Sequence, residues 1–331
     1  MRLFETLFRC SFKTTLASAA HSLLMRESGL RNQRRRVYDA GTGGDRSGKK
    51  TAEHRAQAVL LRTGEGEIMK RILFILVILA MAQAASAQDW AKEKLAKSPR
   101  HFEWVTVKHD GRSVDTFVVY PELKDKRPVV LIIHEIFGMT DWVQDLADQV
   151  AEAGYIAVAP DLLSGLGPNG GRSSSFEPGK ANEAVSKLNP DQVTADLNAV
   201  ADYGKKLPAS NGKLFVGGFC WGGGQTFRFA TNRADLAAAF VFYGPPPDKD
   251  AMERIKAPVY GFFAGNDARI GAMIPDAIAN MKAAGKTFEP VTYDGAGHGF
   301  MRSGEAPDAK EADKKARSEA WERWKSLLAG S

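Results

Sequence analysis

The stretch that most constrains this chain is Leu214-Phe215-Val216-Gly217-Gly218-Phe219-Cys220-Trp221-Gly222-Gly223-Gly224. An apolar run predicted as a strand over Lys213–Gly217 meets a cluster of glycines around one cysteine. Gln225–Thr231 then opens a helix. A strand that turns sharply into a helix crowds its own backbone, and glycine relieves that crowding where a side chain would clash. Small residues two positions either side of Cys220 meet this requirement. The stretch taken alone also fits a Gly-rich junction around a buried, inert cysteine.

The surrounding sequence alternates strands and helices, which predicts a mostly parallel sheet with helices on both faces. His101–His109 and Arg112–Tyr120 alternate apolar and polar residues around Asp110-Gly111, a hairpin signal. Pro128–Ile133 is a continuous apolar run, as in a strand buried on both faces. Asp141–Ala153 carries Trp142, Leu146 and Val150 four apart and is closed by Gly154. Tyr155–Ala159 reads as the next strand. Leu162–Asn189 is rich in Gly, Ser and Pro and is expected to be irregular, the composition of a lid or binding loop. Pro190–Leu207 is helical by pattern. Further strands are expected at Ala237–Tyr243, Pro258–Ala264 and Thr287–Tyr293, with helices at Ile274–Ala284 and Ala309–Leu328.

The N-terminal stretch differs in kind. Residues 69–87 run from Met-Lys-Arg through an apolar segment to Ala85-Ser86-Ala87, the order of a secretory signal peptide. The apolar run Ile72–Ala82 has 11 residues, against roughly 20 needed to span a bilayer. Cleavage after Ala87 would leave Gln88 first, a mature chain of 244 residues, and a periplasmic or secreted protein with no stable membrane anchor. Residues 1–68 are Arg- and Gly-rich without a sustained apolar period, and are expected to be a mis-called or disordered extension. The formal net charge of +6 sits in this region: residues 1–87 carry 15 Lys/Arg and 7 Asp/Glu, the rest 30 and 32. With no basic stripe in the remainder, nucleic-acid binding is excluded. The chain has two cysteines, Cys10 and Cys220. Without residues 1–87, Cys220 has no intrachain disulfide partner, and a lone thiol in an oxidising compartment needs a job.

Strand, tight turn with a nucleophile, and helix together make the nucleophile elbow of α/β-hydrolases, in which nucleophile, acid and histidine follow in that order. Asp267 lies in Gly265-Asn266-Asp267, past the strand Val259–Ala264. His298 lies in Gly297-His298-Gly299-Phe300, past the strand Phe288–Tyr293. Catalytic groups collect past strand C-termini in open α/β sheets. His298 would take the thiol proton and Asp267 would orient the imidazole. Asp294 is the nearest rival acid. His101 and His109 stand in the wrong order, and His134 directly follows the strand ending at Ile133. A helix N-terminus beyond Cys220 favours negative charge on its sulfur. The backbone N–H groups of Trp221 and Ile136 are expected to form an oxyanion hole. Glu135 beside an apolar strand end is costly unless employed. Its alternative is a structural carboxylate that caps the following segment.

Across residues 100–328 the chain resembles the dienelactone hydrolases, or carboxymethylenebutenolidases. The resemblance rests on His134-Glu135-Ile136-Phe137-Gly138, Ala159-Pro160-Asp161-Leu162, Gly218-Phe219-Cys220-Trp221-Gly222-Gly223, Gly265-Asn266-Asp267 and Gly297-His298-Gly299-Phe300. It implies an α/β-hydrolase fold and a Cys220–His298–Asp267 triad that cleaves a small ester or lactone through a covalent thioester. It also implies that Glu135 partners the resting thiol and helps form the thiolate when substrate binds. The family's substrate carboxylate is held by arginines. Arg302 matches one; for the other only Arg172, within the variable 162–189 loop, is a candidate. No metal or organic cofactor is called for, and a monomer is expected. The competing expectations are an exported thioesterase or peptidase of the same fold, and a non-catalytic member that binds a small ligand or senses oxidants through Cys220.

Overall fold

The strands follow the predicted alternation, with boundaries moved by one to three residues. The computed structural model describes residues 88–331. The expected signal peptide and the extension before it lie outside the described residues. The strands are β1 (Phe102–His109), β2 (Arg112–Val119), β3 (Arg127–Ile133), β4 (Ile156–Pro160), β5 (Ser210–Phe219), β6 (Ala238–Phe242), β7 (Val259–Ala264) and β8 (Phe288–Tyr293). They form one sheet in the order β1-β2-β4-β3-β5-β6-β7-β8. β1 and β2 pair antiparallel, β2 is antiparallel to β4, and the other pairs are parallel. The hairpin turn takes positive φ at both central residues, Asp110 at 44° and Gly111 at 75°, the twist that two-residue hairpins favour.

Alternation along each strand sends successive side chains to opposite faces. On β3, Val130 and Ile132 join the core under the helices Asp141–Glu152 and Glu311–Gly330. Val129, Leu131 and Ile133 join the other core, under Pro190–Lys206, Trp221–Asn232 and Ile274–Ala283. The central strands are therefore apolar at nearly every position because both faces are covered.

Local signals explain several helix ends. The Asn189 side chain accepts the Asp191 N–H at 2.8 Å, and Pro190 occupies the first helical turn, where its missing N–H costs nothing. Gly154 adopts φ 97° just past the helix Asp141–Glu152.

Three features differ from expectation. The helix after the turn starts at Trp221 rather than Gln225. Three consecutive glycines read as loop by propensity, but close packing needs them inside the helix. Leu162–Asn189 is partly ordered into two 3₁₀ turns and the helix Lys180–Val185. The buried Asp161 holds it: its carboxylate accepts from the Leu163 N–H at 3.1 Å, the Ser173 N–H at 2.9 Å and the Ser173 hydroxyl at 2.6 Å. Lastly, the helix Asp89–Leu95 precedes the hairpin. No described helix is long and apolar enough to cross a membrane.

Candidate active site

Cys220 sits between β5 and the helix Trp221–Asn232 with φ 56° and ψ −117°. A non-glycine residue rarely occupies positive φ, so this is a strained bend that its surroundings must enforce. The Cys220 N–H donates to the Phe242 carbonyl at 3.0 Å, tying the bend to β6. A Cβ on Gly218 would lie 2.3 Å from the Gly222 carbonyl oxygen. One on Gly222 would lie 2.3 Å from the His134 carbonyl oxygen. The glycines are there because backbone meets backbone.

The loops after β7 and β8 bring Asp267 and His298 to this bend. The His298 Nδ1 lies 2.5 Å from the Asp267 Oδ2. Asp267 is buried, and its other oxygen accepts the Ile270 N–H at 3.3 Å, so the carboxylate is aimed before it meets the histidine. The His298 imidazole is pushed up to about 8. Its hydrogen bond with the Cys220 thiol is the largest cause; burial opposes it, and Asp267 adds to it. This value is above the ordinary 6.5, so folding favours the protonated ring. That stabilisation is complete below about pH 6.5 and is lost as pH rises through about 8. The melting-temperature difference between wild type and His298→Gln is therefore expected to be larger near pH 6 than near pH 9, in thermal melts across that range.

The rivals lie elsewhere. His109 Nε2 lies 2.8 Å from the Asp196 carboxylate, on the hairpin. Asp294 is exposed in a shallow cleft with Lys315 and Glu319. His134 is fully buried, and burial lowers its pKa. Its Nδ1 lies 2.7 Å from the Glu135 carbonyl, and its ring stacks on Trp221. It fixes the shape of the 134–138 turn. The Ile136 and Trp221 N–H groups have no hydrogen-bond partners among the described residues.

Glu135 is 2% exposed and accepts from the Arg302 Nε at 2.6 Å. The guanidinium also lies 5.1 Å over the Phe137 ring. The resemblance implies a thiol partner for Glu135; in this structure its strong partner is Arg302. A charge-assisted bond to guanidinium outweighs one from a weak S–H donor. Arg172 stacks 3.6 Å over Trp104 and faces Asp115 at 3.8 Å, beside the hairpin. Its side-chain partners are these hairpin residues, not Cys220 or His298.

Sequence reasoning missed Tyr243. It has φ 40°, is fully buried, and packs edge-on against His298 at 5.1 Å. Its hydroxyl has no hydrogen-bond partner among the described residues. Burial, then the nearby Glu135 carboxylate, raises its pKa well above the usual phenol range. The only signal was its position as the last residue of a predicted strand, just before Gly244-Pro245. A cavity of about 890 Å³ adjoins the site, lined by His298 and Arg302 on one side and by Trp90 and Glu93 of the first helix on another.

A mostly parallel sheet bearing this glycine-crowded bend after β5, with an acid and a histidine after β7 and β8, defines an α/β-hydrolase. The chain belongs to the dienelactone hydrolase family, whose sequence model matches residues 114–330. It is 30% identical over 256 residues to a protein assigned as a carboxymethylenebutenolidase from Saccharolobus solfataricus, covering 66% of this chain and 95% of that one. A similarly assigned protein of Salmonella typhi is 30% identical over 231 residues, covering 66% and 83%. The crystal structure of a Klebsiella pneumoniae protein assigned as a dienelactone hydrolase superposes with a TM-score of 0.62 at 26% identity, covering 70% of this chain and 99% of that one.

Proposed function

We propose that this dienelactone hydrolase-family protein cleaves a small carboxylic ester or lactone with Cys220 as nucleophile, His298 as acid–base and Asp267 as the group that orients the histidine. The observation that supports it most is the His298 imidazole, held 2.5 Å from the buried Asp267 carboxylate and raised in pKa by the Cys220 thiol. The Cys220 sulfur attacks the carbonyl carbon and the carbonyl oxygen becomes an oxyanion, received by the Trp221 and Ile136 N–H groups. The C–O bond then breaks. The His298 imidazolium gives its proton to the departing oxygen, leaving an acyl-thioester on Cys220. Neutral His298 takes a proton from water, and the hydroxide formed attacks the thioester. Acid is released and the sulfur returns to the thiolate.

Glu135 and Arg302 add selectivity. A carboxylate on the substrate would compete with Glu135 for the Arg302 guanidinium and, by drawing Arg302 away, leave Glu135 free to accept the thiol proton. Arg302→Gln is therefore expected to raise KM for an ester carrying a free carboxylate at least about tenfold. The KM for the corresponding neutral methyl ester should change far less. Equal changes for both substrates would sink this role. Export through the 69–87 signal peptide, with Gln88 as the mature N-terminus, is part of the same reading; N-terminal sequencing of the natural protein tests it, and a peptide from residues 1–68 would refute it.

A panel of lactones, aryl esters and thioesters assayed on the purified protein tests the reaction class. Esters and lactones should turn over fastest, and a thioester turned over faster than any ester or lactone would displace the proposal.

A further inference from the structure

We propose that the cavity between His298 and the helix Asp89–Leu95 is the leaving-group subsite of this enzyme, and that it takes a flat aromatic alcohol. The inference rests on the triad reading above. The cavity wall includes His298 but not Cys220. The histidine protonates the departing oxygen, so a cavity that it lines is placed to receive the alcohol. A volume of about 890 Å³ is at the upper end of what holds drug-sized ligands, far more than a small lactone fills. Trp90 supplies the largest apolar side chain of the lining, with Ala306 and Pro307 also in the wall. Glu93, Asp308, Asp313, Lys310 and Ser303, with Arg302 and His298, make the rest of the wall largely polar. One indole face set among hydrogen-bonding groups suits a planar ring bearing polar oxygen substituents.

The wall carrying Trp90 is a fixed part of the fold. Ala91 is fully buried in the core under the sheet. Lys94 bridges Asp145 and Glu305, each at 3.2 Å. The Gln88 side chain accepts the Trp142 N–H at 3.3 Å. Beyond the helix, Arg100 grips Asp148 with two bonds of 2.8 and 2.6 Å. A helix held at both ends can discriminate among leaving groups, because it cannot retreat from a ligand that fits badly.

The test compares phenyl acetate with 2-naphthyl acetate, which share an acyl group and differ in leaving-group size. The quantity read is the naphthyl-to-phenyl ratio of kcat/KM, which reports the step in which the alcohol departs. Trp90→Ala is expected to lower this ratio about tenfold, the order of one lost aromatic contact, mostly through KM; Trp90→Phe should restore most of it. Ala306→Trp narrows the cavity without changing a residue of the first helix and is expected to lower the ratio as well, which keeps the test valid if Trp90→Ala folds poorly. An unchanged ratio in Trp90→Ala and Ala306→Trp overturns the subsite. If Cys220→Ala still turns over both acetates, it is the nucleophile assignment that fails instead.

Discussion

Cys220→Ala is expected to lower kcat for an activated aryl ester by roughly 10⁴-fold or more, since removal of a triad nucleophile leaves only binding and oxyanion stabilisation. Cys220→Ser should also lose most activity. A hydroxyl is far less acidic than a thiol and needs a stronger base than a site arranged around sulfur. The geometry sharpens this expectation. The Cys220 thiol is the largest cause of the raised His298 pKa of about 8, so the ring carries a proton near neutral pH. Such a ring is a poor base toward serine. Steady-state assays of both variants, with intact-protein mass spectrometry on a slow substrate, check the reading. The adduct expected on wild type is an acyl group on Cys220. Wild-type turnover by Cys220→Ala, or an acyl group on another residue, would refute it.

The second large effect concerns folding. Gly222→Ala would place a methyl 2.3 Å from the His134 carbonyl oxygen and 2.4 Å from that of Ile133. Both contacts are backbone atoms at the end of a buried strand, so neither can rotate away. The expected cost is about 3 kcal/mol or more, at the severe end of overpacking. Gly271→Ala is the matched control: nothing lies within 4 Å of its Cβ position. It should change stability by less than about 0.5 kcal/mol. Urea unfolding followed by tryptophan fluorescence measures both. A small cost at Gly222 would show that the bend can relax, and the steric account of the glycine cluster would then be wrong.

The two effects share one cause. Cys220 holds φ 56° only because surrounding glycines let β5, β6 and the following helix close on it. The strain that exposes the sulfur to His298 is therefore balanced by packing elsewhere in the sheet.

Much of this was legible in the residues. Continuous apolar runs marked β3 and its neighbours, because a strand covered on both faces has no polar side to show. Glycines around Cys220 marked the bend, because their need is steric and local. The positions of Asp267 and His298 just past two strand ends followed from the order of elements. The sequence could not say which groups then touch. Glu135 and Arg302 are 167 residues apart and meet at 2.6 Å. Neither has a local pattern that names the other. Tyr243 looked like an ordinary strand end until its ring was found against His298. The first helix carries few apolar residues and no strong cap, so nothing in its own seven residues marks it as a wall of the cavity. Its place is decided by Lys94 and Ala91 meeting partners far along the chain. Periodicity and steric need act over a few residues, so the sequence by itself determined the sheet, the bend and the order of the candidate groups. Ion pairs and cavities depend on where crossovers carry distant segments, so only the tertiary structure decided what surrounds the thiol.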